Sequence, residues 1–351
     1  MKIMVTGGHF TPALALIEGL KNNYQFVFVG RQFSQEKNAL SLEYQEISRL
    51  KIPFYNLESG RFNRQCFKLI TGLDRARTIL EKEKPDLVFS FGGYLGFPVC
   101  LAAKLKNIPV VVHEQTSKPG LANRLTGQFA RTIFIAFPEA AKSFPQQKTI
   151  VSGNPLRQEI FKIIRQPIQL KEKIPVIYIT GGSLGAHSIN NLVEAILPKL
   201  LQNYYVIHQT GNVQEYGDYY RLSQIKNKRY FPVEHFSSLE IGAIYNSADL
   251  IISRAGANTY FELLALKKPA LLIPLPWSAN HEQQRHAELF QQAGCGEIFR
   301  QEKDPQQLLA LIKHMLAKIA FYQNNIKQLP NNNPQHAIKI ISQTIRQEFT
   351  C

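Results

Sequence analysis

At 351 residues the chain exceeds the roughly 250–300 residues at which one hydrophobic core stops growing, so two domains are expected. With 44% hydrophobic and 19% charged residues, and no apolar run of about 18 residues, it reads as globular and not as membrane-spanning. The net charge of +15 and pI near 9.6 exclude a strongly acidic binding module and leave nucleic acid, anionic membrane and phosphorylated substrates as partners.

The first residues, MKIMVTGG, enter a strand directly, with no secretory apolar region. Cys66, Cys100, Cys295 and Cys351 are scattered, with no pair at metal or redox spacing, as expected of reduced thiols in a cytoplasmic protein. Up to Arg157 the chain carries 21 basic and 11 acidic residues, against 20 and 15 beyond it, so the first part is the more basic.

Short β-rich runs alternate with helical lengths throughout. In the first part they are Lys2–Val5, Phe26–Gly30, Phe54–Leu57, Asp86–Phe91, Pro109–His113, Thr132–Phe137 and Thr149–Ser152. In the second they are Pro175–Thr180, Tyr204–Gln209, Tyr230–Val233, Leu250–Ser253, Ala270–Pro274 and Glu297–Arg300. Nearly continuous apolar character, without alternation, marks parallel strands buried on both faces. The rhythm restarts after about residue 158, where IFKIIRQPIQLKEKIP has a linker's prolines and mixed charge. The expected architecture is α/β, with two Rossmann-like doubly wound parallel-sheet domains facing a cleft, spanning residues 1–158 and 159–334. A final helix within 335–351 follows the breaker PNNNP and is free to pack back on either domain.

Three turns can hold phosphate. Thr6-Gly7-Gly8-His9 follows the first strand, and Gly181-Gly182-Ser183-Leu184-Gly185-Ala186 opens the second half. The third lies in the stretch 248–276, read as strand (Asp249–Ser253), turn (Arg254–Asn258), helix (Thr259–Ala265) and strand (Ala270–Pro274). Glycines let backbone approach a phosphate, and a helix start offers about half a positive charge. None of these is a dinucleotide fingerprint or a P-loop. FGGYLGFP (91–98) and HEQT (113–116) lie at strand ends. On its own, Glu114 reads first as a capping or ion-paired carboxylate.

Between Arg61 and Lys84 stand Arg61, Arg64, Lys68, Arg75 and Arg77, with Phe67, Ile70 and Leu73 recurring every three residues. Two readings compete: a core-facing stripe with a solvated basic face, or an interfacial helix pressing apolar side chains into anionic lipid. Among the histidines, His281 and His286 are five apart and cannot form a helical metal pair, and His208, late in a strand, reads as structural. His9 closes a glycine turn at a strand end, where a general base is needed.

The motifs GNPLR (Gly153–Arg157), GGSLGA (181–186), HQTG (208–211), SRAGANTYFE (253–262) and PLP (274–276) followed by HEQQRHA (281–287) resemble those of the MurG family of peptidoglycan glycosyltransferases. So do TGGH, FGGY and HEQ in the first half, in order from residue 2 to about 295. The resemblance implies a GT-B architecture and inverting transfer of N-acetylglucosamine from UDP-N-acetylglucosamine to undecaprenyl-diphosphate-linked muramoyl-peptide. It implies donor contacts at Thr6, Gly7, Gly8, Thr116, Arg157, Ser183, Phe236, Ala257, Asn258, Thr259, Glu262 and Gln283, with Glu262 on the ribose hydroxyls. His9, Tyr94 and Glu114 are its candidates for the catalytic base. It also implies peripheral attachment to the cytoplasmic face of the cell membrane through a patch of Phe67, Ile70, Leu73, Arg64 and Lys68. No acidic pair at a strand end suggests a divalent ion, so no cofactor is expected. No recognition-helix, RNP or KH pattern suggests nucleic acid. Readings that keep the fold and donor but change the reaction are another lipid acceptor or a UDP-sugar epimerase; a non-catalytic basic nucleotide- or nucleic-acid-binding protein is a third class. Three features depart from the family pattern: a shortened first loop, Thr116 in place of asparagine, and His286 in place of asparagine.

Overall fold

The computed structural model describes residues 1–33, 39–58, 66–182, 184–211, 213, 215–329 and 335–349, with backbone alone at 66–68 and 279. The chain divides into two units, Met1–Arg157 with Pro334–Cys351, and Gln158–Asn333.

In the first unit the elements run β1 (Lys2–Thr6), α1 (Phe10–Leu20), β2 (Gln25–Gly30), α2 (Leu42–Arg49), β3 (Phe54–Asn56), α3 (Cys66–Glu83), β4 (Leu87–Ser90), α4 (Gly93–Leu105), β5 (Val110–Glu114), α5 (Leu121–Phe129), β6 (Thr132–Ile135) and β7 (Thr149–Val151). The second unit continues with β8 (Val176–Thr180), α6 (His187–Leu200), β9 (Tyr205–Gln209), α7 (Asp218–Ser223), β10 (Tyr230–Val233), α8 (Ile241–Ser247), β11 (Leu250–Ser253), α9 (Ala257–Ala265), β12 (Ala270–Leu272), α10 (Glu282–Gln292), β13 (Gly296–Ile298), α11 (Pro305–Ala317) and α12 (Ile319–Gln328). The last helix, α13 (His336–Phe349), belongs to the first unit. Each apolar run of the sequence becomes one strand.

Both sheets are parallel. The first has the order β3-β2-β1-β4-β5-β6-β7 and the second β10-β9-β8-β11-β12-β13. In each, the strand order reverses beside the unit's first strand, the switch point at which open α/β sheets bind ligands. The absence of alternation has a simple cause. Ile3 and Val5 of β1 enter the core on one face while Met4 enters the core on the other. In β8, Ile177 and Ile179 point one way and Val176 and Tyr178 the other.

Helix α13 packs Ile338, Ile341 and Ile345 against Leu16, Ile17 and Leu20 of α1. Gly19 permits this approach, because a Cβ there would lie 2.9 Å from Ile338 Cδ1. The stretch after residue 158 is no free linker: Ile160 and Ile168 are buried in the second core. There a Cβ on Gly242 of α8 would meet the Lys162 carbonyl at 2.1 Å.

Two local expectations need correction. Helix α9 begins at Ala257, not Thr259, with Gly256 as its extended N-cap. Ile70 and Leu73, the two described members of the three-residue repeat, differ in exposure. Three-residue steps fall about 60° short of a full turn each time, so Ile70 is 64% exposed while Leu73 packs on the core beside Ala76 and Leu80. Arg61 and Arg64 and the side chains of Phe67 and Lys68 lie outside the described residues.

Candidate active site

In the first unit, the switch point brings the turn after β1 against the turn after β4. Phe91 N donates to Thr6 O at 2.7 Å, and Gly8 N to Gly92 O at 2.8 Å. Backbone meets backbone: a Cβ on Gly7 (φ +133°) would lie 2.7 Å from the Phe91 carbonyl carbon, and one on Gly93 (φ +75°) 3.0 Å from Gly8 N. The glycines of TGGH and FGGY are therefore required by each other. The Gly8 amide, offered by the sequence as a phosphate donor, is already committed to Gly92. Thr6 is fully buried.

His9 is the N-cap of α1 and is half-buried, with its side chain making no cap hydrogen bond. Its Nδ1 lies 2.7 Å from Gln115 Nε2. Burial holds its pKa below the ordinary value of 6.5, and the charge of Glu114 offsets part of that effect. A helix N-terminus also disfavours imidazolium. The ring is thus neutral near pH 7, as a base must be.

Glu114 is buried, and both oxygens are engaged. Oε1 accepts from Thr116 N and Thr116 Oγ1, each at 2.8 Å, and Oε2 accepts from Asn123 Nδ2 at 2.9 Å. This carboxylate organises the loop after β5. Thr116 is buried too, its one hydroxyl proton shared between Glu114 Oε1 and Lys118 O at 2.9 Å. Tyr94 sits in the first turn of α4 with the Arg31 guanidinium 5.0 Å from its ring centre. Of the three base candidates, His9 alone combines partial exposure with a neutral lone pair. Arg157 closes the unit, half-buried.

In the second unit, the switch point pairs the turn after β8 with the turn after β11. On its other side the turn after β8 meets the turn after β9, where Gly185 and Gly211 press backbone on backbone: a Cβ on Gly185 would meet Thr210 O at 2.1 Å. A Cβ on Gly182 or Gly256 would meet nothing within 4 Å, so open space lies over both turns. Ser183 lies outside the described residues. The amides of Ala257, Asn258 and Thr259 form the first turn of α9, where N–H groups lack intrahelical acceptors. Arg254 ties the turns together, donating from Nη1 to Ile273 O at 3.0 Å and from Nη2 to Ser188 Oγ at 2.6 Å. Burial lowers its pKa to about 10, so it stays charged at neutral pH.

Glu262, one turn into α9, is buried and accepts from Tyr245 OH at 3.1 Å. Phe236 is buried; its N–H donates to Gln209 Oε1 at 3.2 Å, while Gln209 Nε2 reaches Gly182 O at 3.1 Å. Gln283 Oε1 accepts from Leu275 N at 3.1 Å, fixing the residue to the PLP turn. Just before it, Asn280 and His281 are consecutive left-handed residues with φ of 53° and 54°, a local strain of roughly 1–3 kcal/mol each. His286 bonds through Nδ1 to Ala255 O at 3.1 Å, anchoring the RAGA turn to α10.

Several residues here escaped the sequence reading. Gln209 bridges two loops. Asn190 holds Asp218 Oδ2 at 2.7 Å and His208 Nε2 at 3.0 Å, while His187 Nδ1 contacts Asp218 at 2.9 Å. Only the histidine in HQTG hinted at that network. Among the described residues, no three His, Cys, Asp or Glu side chains gather to hold a metal ion, and no helix is long and apolar enough to cross a membrane.

The chain matches the model of the glycosyltransferase family 28 N-terminal domain over residues 4–135 and that of its C-terminal domain over residues 176–341. It is 36% identical over 365 residues to a UDP-N-acetylglucosamine--N-acetylmuramyl-(pentapeptide) pyrophosphoryl-undecaprenol N-acetylglucosamine transferase of Clostridium perfringens, covering 98% of each chain. The transferase of the same name from Clostridium kluyveri is 38% identical over 347 residues, with 93% of this chain and 94% of the relative covered. Among solved structures, MurG of Acinetobacter baumannii superposes with a TM-score of 0.74 at 26% identity, covering 97% of this chain and 99% of that one.

Three buried histidines carry a pH signature. Burial pushes His113 to about 4, His208 to about 3 and His286 to about 4. Each is depressed below the unfolded value near 6.5, so the unfolded chain binds more protons between those limits. Stability is thus complete above about pH 6.5 and falls with pH at up to roughly 1.4 kcal/mol per unit per histidine. Denaturant midpoints followed by circular dichroism are expected to drop steadily from pH 6.5 towards 4; a midpoint unchanged at pH 5 would contradict this.

Proposed function

We propose how the reaction runs from the premise that this chain belongs to the MurG group of glycosyltransferase family 28. It is a hexosyltransferase of GT-B fold, moving N-acetylglucosamine from UDP-N-acetylglucosamine to the lipid-linked N-acetylmuramoyl-pentapeptide of peptidoglycan synthesis.

The observation that carries the mechanism is the pair of helix starts, α6 and α9, at the switch point of the second sheet, with Arg254 bridging them. Each helix start presents about half a positive charge, so the two together match roughly the one unit of negative charge that leaving UDP gains. With the Arg254 guanidinium they stabilise the departing diphosphate electrostatically, and in our reading no metal is needed. The amides of Ala257, Asn258 and Thr259 hold the diphosphate and the Glu262 carboxylate takes the ribose hydroxyls, exchanging its Tyr245 bond for the ligand. The first unit takes the acceptor. The acceptor hydroxyl oxygen attacks the anomeric carbon, its proton passes to His9, and the bond to the β-phosphate breaks with its electron pair on UDP. Displacement from the opposite side inverts the anomeric centre.

The membrane reading rests on Ile70, exposed on the face of α3 that also carries exposed Arg77. It makes the protein a peripheral one on the cytoplasmic membrane face.

Full-length protein given UDP-N-acetylglucosamine and the lipid-linked acceptor is expected to release UDP only when both are present; donor binding without acceptor-dependent UDP release sinks the reaction assigned. Glu262→Ala is expected to weaken UDP binding by about ten- to a hundredfold, the worth of a buried charged hydrogen bond, and an unchanged affinity by calorimetry removes the ribose role. Ile70→Asp is expected to reduce binding to anionic vesicles roughly tenfold without altering UDP affinity. Equal vesicle binding by both proteins would falsify the patch.

A further inference from the structure

A neutral histidine works as a base through only one of its two tautomers. The ring nitrogen facing the substrate must carry a lone pair, so the other must carry the proton, and some acceptor must hold that proton. In many enzymes a carboxylate does so. Here the adjacent carboxylate, Glu114, is occupied: its two oxygens already accept three hydrogen bonds, from Thr116 N, Thr116 Oγ1 and Asn123 Nδ2. The group that touches His9 Nδ1 is the Gln115 amide, at 2.7 Å.

As oriented, that amide presents Nε2 to the ring. It then donates to Nδ1, the ring proton must sit on Nε2, and His9 has no lone pair left to offer. The same orientation leaves Gln115 Oε1 buried without a donor, a costly arrangement. The two ends of an amide fill nearly the same space, and the surrounding hydrogen bonds decide which end goes where. Those surroundings hold buried acceptors that lack a donor. His113 donates from Nε2 to Gly153 O at 3.0 Å, so its Nδ1 is a lone pair, and that lone pair is buried and unpartnered. Asn123 Oδ1, on α5, is also a buried acceptor without a donor. An amide NH2 turned inward can serve such acceptors, as an amide oxygen cannot.

We propose that Gln115 is the positioning residue that sets the tautomer of His9. Its Oε1 accepts the proton on Nδ1, its NH2 turns towards the buried acceptors, and His9 Nε2 is left unprotonated to take the proton of the acceptor hydroxyl. The inference rests on the reading of His9 as the base. A neutral amide in this role orients the ring without placing a second carboxylate against it. The titratable groups facing His9 are Glu114 and His113, both on β5; Glu114 raises its proton affinity, while His9 and His113 oppose one another's protonation.

Three measurements on the full chain test this. In the wild-type protein, nitrogen NMR of His9 is expected to show a protonated, pyrrole-type Nδ1 and a pyridine-type Nε2; the reverse pattern overturns the proposal without any substitution. Gln115→Leu removes the acceptor while keeping bulk. It is expected to lower kcat by roughly 10- to 100-fold, part of the 10²–10⁴ that a positioned base contributes, with the KM for UDP-N-acetylglucosamine within about twofold. Gln115→Glu, which can only accept from Nδ1, is expected to retain turnover at high pH and to move the acid limb of the kcat–pH profile up by roughly one unit or more. An acid limb that stays in place in Gln115→Glu, with kcat unchanged in Gln115→Leu, overturns the proposal. His9→Ala separates the two claims. If it keeps wild-type kcat, the base assignment fails and this inference falls with it. If it is inactive while both Gln115 variants behave as wild type, only the role of Gln115 is wrong.

Discussion

The chemistry of this protein depends on one geometric constraint, repeated in each unit. Where a parallel sheet reverses its strand order, the turns leaving two neighbouring strands must run side by side. In the first unit those turns touch through main chain at Gly7 and Gly93, at a separation that admits no side chain; in the second Arg254 links them, while Gly185 packs as tightly on Gly211 of the neighbouring turn after β9. Contacts of that kind leave few degrees of freedom, so the next residues along each turn are held in position. His9 follows Gly7 and Gly8, and the starts of α6 and α9 follow the two turns of the second unit. Rigid backbone packing thus places flexible chemistry.

The two units then use opposite electrostatics. Around the first switch point, burial favours neutral groups: His9 and His113 both lie below their ordinary proton affinity, and Glu114 spends its charge on neighbouring donors. Around the second, positive potential accumulates from two helix ends and from Arg254, whose guanidinium rests on a carbonyl and a hydroxyl oxygen. The first environment suits a proton acceptor and the second a departing dianion. Substituting a methyl-bearing residue for Gly7 or Gly185 would disturb these environments without altering any functional side chain.

Much of this was legible in the sequence, and for a physical reason. Strands buried on both faces must be apolar at every position, so the central strands stood out as continuous runs, and the partly exposed edge strands β3, β7, β10 and β13 followed the same rhythm. Glu262 could be singled out because a strand, a glycine turn and a helix carry it within thirteen residues of Leu250. Gln115, Asn190 and Asp218 could not, because what gives each its meaning is a partner outside its own stretch of chain: His9 is 106 residues from Gln115, and Asp218 is 28 from Asn190. Helix α3 misled in a different way. A repeat of three resembles a stripe over two steps, yet it drifts across a helix of 3.6 residues per turn, which left Ile70 outside and Leu73 inside. The two-residue error at the start of α9 came from reading Ala257 and Asn258 as turn, when an extended Gly256 allows the helix to begin at once.

Helix α13 gives the first unit an unusual life history. Its three isoleucines complete a core whose other members lie within the first 150 residues of the chain. During synthesis the N-terminal sheet therefore emerges with the α1 side of its core unfinished, and stays so while the whole second unit is made. The second unit is contiguous and has every one of its core residues in hand before the ribosome reaches α13. Order of appearance and order of completion are thus reversed, and a chain stopped before His336 keeps all its catalytic motifs while lacking the piece that seals the domain bearing His9.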